Sequence, residues 1–317
     1  MNIRSRTVQL LSAVLFGGLG STALAQDNIG SGIACQNPEY ACPAGGGCDP
    51  QTTAQRGNQT DAAAGRNYFL DIPCDLEAGE EVVFVLNLHG GGSIGNWQRH
   101  YFPAHDYADE YRLIVATPSG VVRAWREEND DEHLENIVNY VYDEFSDLDI
   151  RAFWLAGHSQ GGATSHRLVC TDFYRDKVTG LLSLAGGRVG NRAEVQDCDF
   201  SHIYTWGEHD SIGVGEVPDS SPLAKRYNCS ARIRHDDVVD TESGYVHDSR
   251  TGDARPDREG WGGEPAPGTA QVYEYPNCDD GYVVADVVRM DKGHTEGLEP
   301  KVTERVVQLM LSATNTK

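Results

Sequence analysis

Four short stretches of this chain carry residue types that can make and break acyl bonds. Residues 157–162 read Gly-His-Ser-Gln-Gly-Gly, a G-x-S-x-G pattern. Glycines two positions either side of a serine suit a sharp turn, because side chains there would collide with neighbouring elements. The turn lifts the hydroxyl clear of the backbone and aims the next helix N-terminus at the same point, where its partial positive charge favours an oxyanion. Ser159 is the predicted nucleophile. Residues 89–92 read His-Gly-Gly-Gly, and such a run lets backbone N–H groups approach a bound carbonyl. The predicted oxyanion hole is the N–H of Gln160 with that of Gly91. A phosphate loop is disfavoured because no Gly-Lys-Ser/Thr follows.

A serine at its ordinary pKa needs a base, and the base needs an orienting acid. Gly207-Glu208-His209-Asp210 and Asp291-Lys292-Gly293-His294-Thr295 supply them in the order serine, acid, histidine. Asp210 is the expected acid, with Glu208 and His209 as competing neighbours. His294 is the expected base. His89 is expected to brace the glycine loop rather than to act as a base. His89, His158 and Trp125 are taken as substrate contacts. Trp97 and Trp261 are the next aromatic candidates, although tryptophans are as suited to packing.

Each motif follows a predicted strand. Glu81–Leu88 is an almost unbroken apolar run, as in a strand buried on both faces. Leu113–Thr117, Ala152–Ala156, Gly180–Leu184, Ile203–Trp206 and Tyr282–Met290 read as further strands, and Arg66–Ile72 as an edge strand. Helical spacing covers Asp131–Phe145, with Leu134, Ile137, Val138, Val141 and Tyr142 on one stripe. Gly161–Cys170 and Pro300–Ser312 complete the helices, Pro300 suiting a first turn. This alternation predicts an α/β fold: a mostly parallel sheet with helices on both faces and its chemistry at the strands' carboxyl ends. Residues 211–277 are rich in Gly, Pro, Asp and Arg and are expected to form an irregular insertion near the site mouth.

Export is expected. Met1–Arg6 is basic, Val8–Leu19 is apolar, and Ala23-Leu24-Ala25 offers a cleavage site before Gln26. Residues 1–25 are therefore read as a signal peptide, 26–64 as a loop-rich arm pinned by disulfides, and 65–317 as the α/β domain. No later apolar run is long enough to span a bilayer. The eight cysteines suit disulfides in a secreted or periplasmic chain. No Cys-x2-Cys pair points to zinc, and no metal is expected. Asp236, Asp237, Asp240 and Glu242 lack a calcium-loop spacing and are read as a solvated face. The net charge of −22 disfavours nucleic acid and anionic membranes as partners. A monomer is expected.

Together, LHGGG at 88–92, GHSQGG at 157–162, GEHD at 207–210 and GHT at 293–295 resemble the exported poly(3-hydroxybutyrate) depolymerase and feruloyl esterase-like group of α/β-hydrolases. The resemblance runs over about residues 66–313. It implies the α/β-hydrolase fold and hydrolysis of a carboxylic ester through an acyl-enzyme, without metal or organic cofactor. It suggests feruloyl or acetyl esters of plant polysaccharide, or polyesters such as polyhydroxybutyrate. LAKRYNC at 223–229 and YEYPNCDDGYVVADVVRM at 273–290 resemble the group's late region, where a cysteine pair precedes the histidine; this implies a Cys229–Cys278 bridge. Two departures are His158 before the serine, and Glu296-Gly297 where the group often has Trp-Pro. A prolyl-oligopeptidase-type serine peptidase shares the residue order but normally carries an extra domain, for which the chain has no length. A non-catalytic binding protein on this fold would be expected to have lost one of the motifs.

Overall fold

The computed structural model describes residues 29, 30, 33, 35, 57–213, 215–245 and 266–315. The predicted signal, Cys42, Cys48 and Trp261 lie outside these residues. In chain order the strands are β1 (Gln59–Asp61), β2 (Arg66–Asp71), β3 (Glu81–Leu88), β4 (Leu113–Pro118), β5 (Asp149–His158), β6 (Gly180–Leu184), β7 (Arg188–Val189), β8 (Arg192–Ala193), β9 (Ser201–Gly207), β10 (Ile233–Arg234), β11 (Val238–Val239), β12 (Thr269–Glu274) and β13 (Val284–Arg289). The α-helices are α1 (Gly95–Tyr101), α2 (Ala108–Tyr111), α3 (Glu127–Glu144), α4 (Gln160–Leu168), α5 (Pro222–Arg226) and α6 (Pro300–Leu311).

Among the described residues, one sheet takes the order β1-β2-β4-β3-β5-β6-β9-β13-β12-β10, with β11 also on β12. The central strands from β4 to β13 run parallel. Antiparallel strands finish both edges. Alternation along β3 explains how a continuous apolar run serves two cores. Val82, Phe84, Leu86 and Leu88 enter one core with Leu134, Ile137, Val138 and Val141 of α3. Val83 and Val85 enter the other, with Trp97 and Tyr101 of α1 and Val302, Val306 and Met310 of α6. Successive side chains of a strand point to opposite faces, so a strand between two helical layers must be apolar at both. This is the mostly parallel α/β sheet between two helical layers that the motifs imply.

From β3 the chain crosses to β4 on one side and returns to β5 on the other. The connections leaving β3 and β5 therefore diverge, and a crevice opens at their carboxyl ends. That crevice receives the glycine run and Ser159.

Several elements differ from the sequence reading, among them α3, α1 and β12. Helix α3 starts at Glu127, four residues before the apolar stripe suggests. The Asp130 carboxylate lies inside its first turn and accepts the N–H of Arg126 at 2.7 Å and of Val121 at 3.1 Å. Helix α1 was not foreseen. All seven of its residues are buried, so it shows no amphipathic stripe. Strand β12 lies in the stretch expected to be irregular. Only Ala270 and Val272 of it are buried, a two-residue alternation too brief to stand out amid Gly and Pro.

Disulfides join Cys35 to Cys74, Cys170 to Cys198 and Cys229 to Cys278; the last is the pairing that the resemblance implied. The first ties the N-terminal arm to the segment after β2. With 28 to 49 residues between partners, each bridge contributes about 2–5 kcal/mol by restricting the unfolded chain. Such bridges belong to an oxidising compartment. Among the described residues no helix is long and apolar enough to cross a membrane.

Candidate active site

Strand β5 ends at His158 and α4 starts at Gln160, so Ser159 alone makes the turn, at φ 51 and ψ −113. A non-glycine residue in that region stores on the order of 1–3 kcal/mol of strain. The turn is held by the Ser159 N–H donating to the Leu184 carbonyl at 2.8 Å and by the Ala163 N–H donating to the Ser159 carbonyl at 3.0 Å. Gly157 and Gly161 are required by close approach rather than by unusual backbone angles. A Cβ on Gly157 would fall on the Gly161 backbone, and one on Gly161 would fall on the Leu88 carbonyl. Ser159 and Gln160 are both partly open to solvent.

The glycine run lies directly against this turn. A Cβ on Gly90 would sit 2.5 Å from His158 Nδ1 and 3.4 Å from Ser159 Cβ; one on Gly91 would sit 3.3 Å from Gln160 Oε1. The Gly92 N–H donates to the Arg123 carbonyl at 2.6 Å, which fixes the loop from outside. Gly91 is exposed. Gln160 opens α4, where backbone donors have no intrahelical acceptor.

The three expected substrate contacts, His89, His158 and Trp125, are all buried. His89 is fully buried. Its Nε2 accepts from the Gly120 N–H at 2.9 Å, which leaves the proton on Nδ1 to donate to the Gly90 carbonyl at 2.8 Å. With both ring nitrogens engaged by backbone, His89 braces the loop. Trp125 packs its ring 4.6 Å from His89 and donates its indole N–H to the His89 carbonyl at 2.7 Å. It supports the loop from behind and offers no open face at 4% exposure. Trp97 is likewise buried, stacked on Tyr101.

The two remaining loops meet the turn from the other side. Asp210 follows β9 and is buried. Its Oδ1 accepts the Ile212 N–H at 2.8 Å, and its Oδ2 lies 2.9 Å from His294 Nδ1. A carboxylate accepts, so the His294 proton sits on Nδ1 and the lone pair on Nε2. Glu208 and His209, the neighbours of Asp210, are exposed. His294 packs 4.7 Å, centroid to centroid, from the ring of His158, which adjoins Ser159 in the chain. The four stretches singled out in the sequence thus converge on one crevice.

Sequence reasoning missed the residues that fix the loop after β13. The Arg289 guanidinium, buried at 1% exposure, donates to the carbonyls of Glu296 and Gly297 at 2.7 Å each and pairs with Glu299 at 3.1 Å. Burial opposes charge on Glu299, yet Arg289 holds its carboxyl below the usual range. Glu296, the departure from the group's pattern, accepts the Gly293 N–H and so closes the loop around His294. A single arginine inside a strand sequence gives no signal of such a task. Among the described residues, Glu208, His209 and Asp291 bring three ligand atoms within 4.8 Å, all exposed. Asp240, from the acidic cluster, caps α6 by accepting the Lys301 N–H at 2.6 Å.

Several histidines other than His294 are buried or half-buried without charge. Desolvation pushes His89 and His166 down to about 4, and His105 and His202 well below the usual value. These groups stay neutral in the folded chain while the unfolded chain takes up protons below about pH 6.5. Stability is therefore unaffected above pH 6.5 and falls as pH drops from 6.5 toward 4. Asp106, Glu135 and Asp286, raised mainly by desolvation, pull the other way, but His133 is lowered as well, so three carboxyls stand against five imidazoles. His89 and His166 each cost on the order of 3 kcal/mol by pH 4. Urea midpoints measured from pH 7.5 to 4.5 should fall steadily below 6.5; a flat profile would contradict neutral burial.

No family model and no curated protein matches the chain. Solved structures match in part. A thermostable esterase is 17% identical, with 48% of this chain and 46% of that one covered, about half its length, at a TM-score of 0.35. The fluorophosphonate-binding serine hydrolase F of Staphylococcus aureus is 18% identical over 49% of this chain and 78% of that one, at 0.36. The S-formylglutathione hydrolase FrmB of Staphylococcus aureus is 16% identical over 49% and 79%, at 0.37. At these scores the likeness is partial, and what the site does rests on its own geometry.

Proposed function

We propose that this chain is a secreted serine hydrolase of carboxylic esters, with Ser159 as nucleophile, His294 as base and Asp210 as orienting acid. The observation that carries it is the bond from His294 Nδ1 to buried Asp210, set beside a strained serine turn. That bond leaves the Nε2 lone pair as the proton acceptor. Ser159 Oγ would attack the ester carbonyl as Nε2 takes its proton. The carbonyl oxygen would gain negative charge between the backbone N–H groups of Gln160 and Gly91, each lowering the barrier by about 3 kcal/mol. Collapse would break the bond to the alcohol oxygen, which leaves with the proton returned by His294. Water, deprotonated by the same nitrogen, would then release the acid and free Ser159.

Feruloyl and acetyl esters of plant polysaccharide and polyesters such as polyhydroxybutyrate are the favoured substrates. Export is supported by the signal-like first 25 residues and by the disulfides.

The test is hydrolysis of p-nitrophenyl acetate and butyrate, followed by methyl ferulate, acetylated xylan, polyhydroxybutyrate and a terephthalate polyester. Ester turnover that vanishes in Ser159→Ala is expected. Cleavage of peptide anilides in preference to esters would favour a peptidase, and inactivity on every ester would leave a binding protein.

A further inference from the structure

The proposed chemistry leaves one buried side chain at the centre of the site without a task. His158 lies at 2% exposure, and its Nε2 is 2.8 Å from the His294 carbonyl oxygen. A carbonyl only accepts, so the proton is on Nε2 and His158 donates. The Tyr101 hydroxyl donates to the same oxygen at 3.4 Å. Its ring lies 4.2 Å from that of His158, and Trp97 closes the pocket at 5.2 Å. On the opposite edge, His158 Nδ1 stands where a Cβ on Gly90 would come within 2.5 Å. One imidazole therefore belongs to the serine turn, packs under the glycine loop and bonds the backbone of the base loop.

We propose that His158 is a positioning residue that holds His294 against Ser159 through the His294 carbonyl, and that it does not contact substrate. The inference rests on the ester-hydrolase reading above. Its physics is simple. The His294 ring is fixed at one end by Asp210, and its backbone must be fixed too if Nε2 is to meet the serine during turnover. A displacement of about 1 Å in such a pair lowers the rate by about 100-fold. The residue must be flat to fit beneath Gly90 and must carry a donor at its far edge, which histidine does and phenylalanine does not.

The experiment compares His158→Phe, which keeps the ring and loses the donor, with His158→Gln, which keeps a donor. In His158→Phe, kcat should fall roughly 10- to 100-fold with KM nearly unchanged, and His158→Gln should recover much of the loss. In proton NMR, the downfield resonance of the His294 Nδ1–H should shift or broaden in the Phe variant and persist in the Gln variant. A native kcat in His158→Phe would overturn the proposal, as would a raised KM at constant kcat, which marks a substrate contact. Equal defects in Phe and Gln variants of equal thermal midpoint would reduce the residue to packing. Should His158→Phe fail to fold, His158→Ala assayed with and without added imidazole decides: rescue supports the role, and no rescue overturns it. If the native chain shows no Ser159-dependent hydrolysis, the functional reading fails alone, and the NMR comparison still tests the link between His158 and His294.

Discussion

Ser159→Ala should lower ester turnover by a factor of about 10⁴ or more, with the thermal midpoint close to native. The hydroxyl is the one atom group removed, and the turn is held by backbone bonds that alanine preserves. His294→Ala should fall to a similar floor, and the double variant should fall little further, because a nucleophile without its base is already idle. Asp210→Asn should do less damage, since the ring keeps a hydrogen-bonding partner but in the wrong tautomer. Stability should move the opposite way in one variant. Ser159→Gly removes a side chain from a backbone at φ 51, so it should be inactive yet more stable by about 1 kcal/mol. Burst kinetics with p-nitrophenyl acetate and thermal melts read both effects. Residual turnover within 100-fold of native in Ser159→Ala would remove the serine from the mechanism.

The residues of this site were legible because their chemistry requires a backbone as well as a side chain. Gly157, Gly161 and Gly90 mark places where a Cβ would strike another chain segment, and that demand shows in the sequence as glycine. Asp210 and His294 stood out as candidates because each follows an apolar strand. His89 and Trp125 were harder to assign for a related reason. A polar or aromatic residue beside a glycine loop looks equally suited to substrate or to scaffold, and only burial and the hydrogen bonds of both ring nitrogens separate the two. The strands of the parallel sheet were visible as apolar runs. Helix α1, buried all round, and β12, with two buried side chains, lack the periodicity that betrays an element facing water on one side.

The largest stability effects should come from the ionic clamp beneath the His294 loop. Glu299 is buried between Arg289 at 3.1 Å and Lys292 at 3.1 Å. Glu299→Leu leaves two cations facing each other without a carboxylate and should cost on the order of 3–5 kcal/mol. Arg289→Leu should cost somewhat less, about 3 kcal/mol. Lys292 still pairs with Glu299 there, and the groups orphaned are the carbonyls of Glu296 and Gly297. Those carbonyls belong to the segment that follows His294, so Arg289→Leu should also lower kcat with little change in KM. The double variant should be more stable than the sum of the two losses implies, because the Arg289 charge is no longer left without its carboxylate and Lys292 is then the one cation still lacking Glu299. Urea unfolding of the four proteins in this cycle measures the coupling. Strict additivity would mean that Arg289 and Glu299 stabilise the chain independently, and the loop would then owe its position to the Gly293–Glu296 contact rather than to the clamp.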